Sequence, residues 1–137
     1  MIDTQNLDTA RKMFAMAQEK RNVAQQLHDN GNYNDAISRA YYAVFHLVSM
    51  VMFLHGKTYS SHSQLIGAFN KELIATEALP KAVGKAVRLL FDLRQGADYD
   101  FYQRIDPQES YQALEDTAQI FTSIQIYIAN QFSVDLL

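Results

Sequence analysis

The chain has no cysteine, only two prolines and only five glycines in 137 residues, and each shortage excludes something. Without cysteine there is no disulfide framework, no thiol nucleophile and no cysteine-ligated zinc, so a reducing cytoplasmic location is the expectation. The few prolines and glycines fall mostly where helices should start or stop, and no stretch alternates apolar and polar residues with a period of two. An apolar leader is also missing: Met1 to Asp8 is polar and acidic, unlike a secretory signal. The most apolar window, Ala40 to Leu54, reads as too short to span a bilayer, so no membrane association is expected. Charge of one sign is scarce as well. A formal net charge of -3 gives no long-range attraction for nucleic acid, and any RNA contact must use a local basic patch.

What is present is helical periodicity. A first helix is expected from about Asp8 to His28, with Ala10, Met13, Phe14, Ala17, Val23, Ala24 and Leu27 at helical spacing. A second, capped by Asn32 or Asn34, closes at His55-Gly56, where His55 reads as a favourable charge at the C-terminal end. Ser61 and Gln64 fit a capping box for a third through Leu73, and Pro80 suits the first position of a fourth, running toward Ala97, with Gly84 as a packing candidate. Asp106-Pro107-Gln108-Glu109 signals a last helix to about Gln131. These elements predict an all-α fold, an antiparallel up-and-down bundle of four to five helices, with residues 1–137 as a single domain.

The second helix is apolar around nearly its whole circumference, so its own bundle, a partner or both must cover it. A homodimer packing this helix near its symmetry mate would bury the remaining stripe. Inside the apolar run stand Arg39 and His46. Seven residues fall about 20° short of two turns and span about 10.5 Å of axis, so both leave one face, with Tyr42 and small Ala43 between them. A permanent cation and a group titrating near neutrality suit the handling of a phosphodiester, with histidine moving protons and arginine neutralising the phosphoryl oxygens. The spacing equally fits a plainer reading, in which Asp35 and Arg39 form a helix-surface ion pair and His46 is a satisfied core histidine. No metal-ligand spacing and no glycine-rich phosphate loop occurs in the sequence, so neither a metal nor a cofactor is expected.

The run Gly31-Asn32-Tyr33-Asn34-Asp35-Ala36-Ile37-Ser38-Arg39-Ala40-Tyr41-Tyr42-Ala43-Val44-Phe45-His46 resembles the signature of HEPN domains, in their small stand-alone prokaryotic branch. Ser61-His62 and Leu93-Arg94-Gln95-Gly96-Ala97-Asp98-Tyr99 match two further segments of that pattern, and the likeness covers Ala10 to Ile128. The resemblance implies a helical bundle that dimerises and a composite ribonuclease site in which Arg39 and His46 are catalytic. It further implies an RNA substrate and a toxin role beside a minimal nucleotidyltransferase antitoxin. The chain departs from the active pattern at Ala40, apolar where that position is often polar, and Leu47, Val48 and Ser49 supply no regulatory tyrosine after the histidine.

Around this pair, Tyr42, His62, Arg94, Asp98 and Tyr99 are the expected cleft or substrate-contacting residues. Each has a plainer role beside the functional one. His62 at a helix start can pack a loop, while Arg94 and Asp98, four apart, can form a local ion pair or brace the motif helix. Tyr41, Tyr42, Tyr99, Tyr102 and Tyr111 can stack on bases if exposed, or supply core with a hydrogen-bonded tip. Two functions therefore compete on the same residues: a metal-independent RNA endoribonuclease, and a non-catalytic nucleotide-binding or protein-interaction module.

Overall fold

In the computed structural model, which describes residues 2–99 and 104–136, three helices begin at a side chain that accepts from an otherwise unpaired first-turn N–H. Asp3 accepts from the Asn6 N–H at 2.7 Å, Ser61 from that of Gln64 at 3.1 Å and Asp106 from that of Glu109 at 2.7 Å. They open α1 (Thr4–Asp29), α3 (His62–Phe69) and α5 (Pro107–Phe132); between them run α2 (Tyr33–Leu54) and α4 (Lys81–Tyr99). No strand occurs among the described residues, and the protein is an all-α helical bundle.

The boundaries differ from expectation where capping decides them. α1 starts at Thr4 rather than near Asp8, because Asp3 supplies the cap. The box at Asp106 is complete, with Glu109 accepting from the Asp106 N–H at 3.2 Å. At Ser61 it is half-formed, since the Gln64 side chain accepts from Ser60 Oγ at 3.3 Å. Asn32 occupies the cap position of α2 without a side-chain bond, while Asn34 accepts from the Ile105 N–H at 3.0 Å and donates to the Ala97 carbonyl at 3.4 Å. Asn34 thus links the start of the motif helix to the segment between α4 and α5.

The third helix expected through Leu73 ends at Phe69 and continues as one π-helical turn, Asn70–Ile74. This turn meets Gly84 of α4, where an added Cβ would lie 3.0 Å from both Cγ atoms of Ile74 and 3.1 Å from Asn70 Oδ1. Gly84 is therefore the packing glycine its position suggested.

α2 lies at the centre, packed by α1, α3, α4 and α5. At 22 residues it is longer than the apolar run read from the sequence, and by length and composition it could cross a bilayer. Its apolarity is accounted for inside the bundle, where 61% of its most apolar window is buried. Ile37, Val44, Leu47, Val48 and Val51 are each no more than 1% exposed, and such burial contributes about 1.5–3 kcal/mol per side chain. One stripe escapes complete cover: Ser38, Tyr42, Phe45, His46, Ser49 and Phe53 are half-buried and Arg39 is exposed.

Candidate functional site

The uncovered stripe of α2 carries both residues of the Arg/His pair. Beside Arg39 lies a cleft of about 450 Å³, walled by Val23 and Leu27 of α1, by Asp35, Ser38, Arg39 and Tyr42 of α2, and by Asp98 of α4. The α1 and α2 walls stand side by side because only Asn30, Gly31 and Asn32 join the helices, with Gly31 at a φ of 82° that disfavours other residues.

Arg94 organises the far wall. It is 9% exposed, and its Nε donates to Asp98 Oδ2 at 2.8 Å while Nη2 donates to the hydroxyls of Tyr42 at 2.7 Å and Tyr99 at 3.1 Å. Its guanidinium also lies 5.2 Å from the ring centroids of Tyr42 and Tyr99 and 5.4 Å from that of Tyr41. Burial works against the charge of Arg94, but Tyr42, Tyr99 and Asp98 together hold its pKa above the usual arginine range. The other carboxylate oxygen of Asp98 accepts from the Ser38 hydroxyl. The expected Arg94–Asp98 pair is thus real, and it also braces α2 through Tyr42 and Ser38.

A second polar link joins α2 to α3. Tyr41, 1% exposed, hydrogen-bonds through its hydroxyl to His62 Nδ1 at 2.6 Å, and the His62 ring stacks on Phe45 with centroids 4.0 Å apart. Burial, opposed by Arg94 and reinforced by Tyr42, pushes the Tyr41 phenol up to about 12. His62 is pushed below the usual histidine value by burial and then by Arg94.

Arg39 and His46 depart from the plainer reading in both parts. No ion pair joins Asp35 to Arg39, and among the described residues neither Arg39 nor His46 has a hydrogen-bond or ion-pair partner. Every fully buried side-chain nitrogen or oxygen there is paired, so the unpaired nitrogens of His46 reach solvent. Its ring contacts Phe45 with centroids 5.6 Å apart. Burial, then Lys20 of α1, then His62 lower its pKa, leaving a neutral imidazole able to accept a proton.

Of the expected site residues, the structure puts Arg39, Tyr42 and Asp98 in one cleft lining, ties Arg94 and Tyr99 to it by hydrogen bonds, and sets His46 and His62 against Phe45, outside that lining. Ser38 and Phe45 carry no site role in the sequence; their signals are a place in the quoted motif run and helical spacing with Tyr42. Among the tyrosines considered for base stacking, Tyr41 is buried and supplies core with a hydrogen-bonded tip. Tyr99 and Tyr111 are 68% and 51% exposed, and Tyr102 lies outside the described residues. His55 does not serve as a terminal charge: it is half-buried, bonded to the Tyr127 hydroxyl at 2.8 Å, and burial lowers its pKa. A second groove, about 430 Å³ between α4 and α5, has Glu115 as its one ionisable lining residue and offers shape without comparable chemistry. Among the described residues no three His, Cys, Asp or Glu side chains converge as a metal-holding group.

Residues 10–127 match the family described as "HEPN domain", and the chain belongs to that family. It is 35% identical over 83 residues to a Thermotoga maritima protein named "UPF0332 protein", covering 61% of this chain and 63% of the relative. Two Methanocaldococcus jannaschii proteins, each named a "putative toxin", are 27% identical over 99 residues and 28% identical over 87. Those matches cover 72% and 64% of this chain, and 67% and 65% of the relatives. The chain thus spans about two thirds of the length of these relatives.

Proposed function

We propose that this HEPN-family chain is a metal-independent RNA endoribonuclease that acts as the toxin of a toxin–antitoxin pair. Arg39 and His46 are its reacting groups, at the interface of a homodimer. The observation that carries the reading is the placement of an unpaired guanidinium and an accessible, neutral-leaning imidazole on the one stripe of α2 that the bundle leaves open. The names of the two Methanocaldococcus jannaschii relatives support the toxin role, and a minimal nucleotidyltransferase antitoxin is the partner proposed for it.

In this mechanism a 2′-hydroxyl attacks the adjacent phosphorus as His46 takes its proton. The bond from phosphorus to the 5′-oxygen breaks, and that oxygen receives a proton from a histidine in its acid form. A dimer supplies two copies of His46, so one can begin neutral and the other protonated. Arg39 stabilises the charge that grows on the non-bridging oxygens. The products are a 2′,3′-cyclic phosphate and a 5′-hydroxyl.

Purified protein should cleave single-stranded RNA in the presence of a chelator and leave cyclic phosphate ends, and His46→Ala should abolish cleavage without unfolding. An inert wild type, or a His46→Ala variant as active as wild type, ends the catalytic claim.

A second reading, a nucleotide-binding or protein-interaction module without turnover, is favoured by the carboxylates Asp35 and Asp98 in the cleft beside Arg39 and by apolar Ala40 after the motif arginine. Calorimetric titration separates the two: mononucleotide binding without RNA turnover selects the module.

A further inference from the structure

The Tyr41 hydroxyl is buried, and His62 Nδ1, 2.6 Å away, is its one polar partner among the described residues. A buried phenol has to place its proton on an acceptor, and this one keeps its proton throughout the neutral range. The acceptor must be Nδ1, which is therefore unprotonated, so the neutral ring carries its hydrogen on Nε2. Protonating Nδ1 would leave the phenol hydrogen with nowhere to go. Burial and Arg94 across from α4 also oppose a charged His62, and the other titratable side chains that face it are Tyr41, Tyr42 and His46 of α2.

The ring is fixed as well as its tautomer. It stacks on Phe45 at an interplanar angle of 24° and meets Tyr42 edge-on, while the Ser61 cap holds the start of α3. Among the described residues Nε2 has no hydrogen-bond partner, yet no fully buried side-chain nitrogen there is left unpaired, so Nε2 is open to solvent. His46 touches the same Phe45 ring from the same helix face.

From this we infer that His62 is a second substrate-binding histidine, locked by Tyr41 as a neutral Nε2–H donor to a phosphoryl oxygen of the RNA that occupies the Arg39/His46 site. The assignment rests on the RNA reading of that site. It divides the labour between two imidazoles. His46 is free to exchange protons, and His62 is held in one form so that its hydrogen bond survives the pH range in which His46 works. Tyr41 acts through His62 as a positioning residue.

The test uses full-length, nitrogen-15-labelled protein and a short single-stranded oligoribonucleotide. Long-range proton–nitrogen correlation should find His62 protonated on Nε2 at neutral pH, and the Nε2 resonance should shift when the oligonucleotide is added to the His46→Ala protein. His62→Gln, which keeps an N–H donor near the Nε2 position, should bind the oligonucleotide within about twofold of wild type, while His62→Leu should weaken binding about tenfold, the size of one hydrogen bond to an anion. Tyr41→Phe should release the tautomer and raise KM more than it lowers kcat. A His62 protonated on Nδ1, or a folded His62→Leu that binds as wild type does, overturns the proposal. Binding that depends on His62 without any RNA cleavage by wild type would sink the ribonuclease reading alone, and a wild type that binds no RNA sinks both.

Discussion

Arg94 Nη2 on α4 donates to the Tyr42 hydroxyl on α2 at 2.7 Å, and this bond couples the end of one helix to the middle of the helix that carries Arg39 and His46. The same guanidinium also holds Tyr99 and Asp98, and Asp98 holds Ser38. One nearly buried side chain therefore fixes four polar neighbours, directly or through its carboxylate partner.

Arg94→Met should lower stability by about 1–3 kcal/mol, because it leaves the half-buried Tyr42 hydroxyl without its donor and breaks the link between α4 and α2. Arg94→Lys should recover less than half of that loss. An ammonium on a flexible stem cannot reproduce a planar fork that reaches Asp98, Tyr42 and Tyr99 together. Urea denaturation of the two variants beside wild type reads both numbers.

Two glycines should respond to alanine with opposite signs. Gly84→Ala puts a Cβ against Ile74 and Asn70 at 3.0 and 3.1 Å. The overpacking should exceed the gain in helix propensity and leave the protein about 1 kcal/mol less stable. At Gly67, inside α3, an added Cβ meets nothing within 4 Å, so Gly67→Ala should stabilise by up to about 1 kcal/mol. Thermal melts of both variants check the contrast.

Acid should weaken the fold through three of its histidines. His46, His55 and His62 all have folded pKa values below the ordinary value of 6.5, in each case chiefly through burial. The unfolded chain therefore binds more protons than the native one as pH falls through about 6.5, and stability declines in that direction while being fully present above it. The urea midpoint should be lower at pH about 5.5 than at about 7.5, and His55→Gln should shrink the difference. A midpoint that does not move between those values contradicts the assignment.

The open stripe of α2 should be the dimer surface. Met16 of α1, 47% exposed, lies one helical turn from Lys20, whose charge is felt by His46. Met16→Glu should keep the helical content and the melting temperature within a few degrees while shifting sedimentation from dimer to monomer. RNA cleavage should fall with the dimer population, since each monomer then offers a single His46. A wild type that sediments as a monomer would remove this interface.

Local signals on the chain were strong enough to place most helix starts. Asp106 with Glu109 marks α5 because both partners of the cap sit within one turn, and Arg39 with His46 marks a helix face because 3.6-residue periodicity fixes their directions. Asp3 carries the same kind of local signal, ahead of the start expected at about Asp8. The π-helical turn at Asn70–Ile74 was not legible, since it follows the packing of α4 at Gly84 onto that segment. His55 reads as a terminal charge in the sequence, and only Tyr127, 72 positions away, shows it to be a packing group.

The sequence by itself determined an all-α bundle, the family to which the chain belongs, and the helix face on which the Arg/His pair stands. These follow from periodicity, capping and short ordered motifs, whose physics acts within a few residues. Tertiary structure decided what surrounds that pair: that Asp35 leaves Arg39 unpaired, that Arg94 is spent on Tyr42, Tyr99 and Asp98, and that Tyr41 faces His62. Those outcomes depend on which helices pack against α2 and at what register, because hydrogen bonds and burial are settled between side chains that are far apart in the chain and neighbours only in the fold.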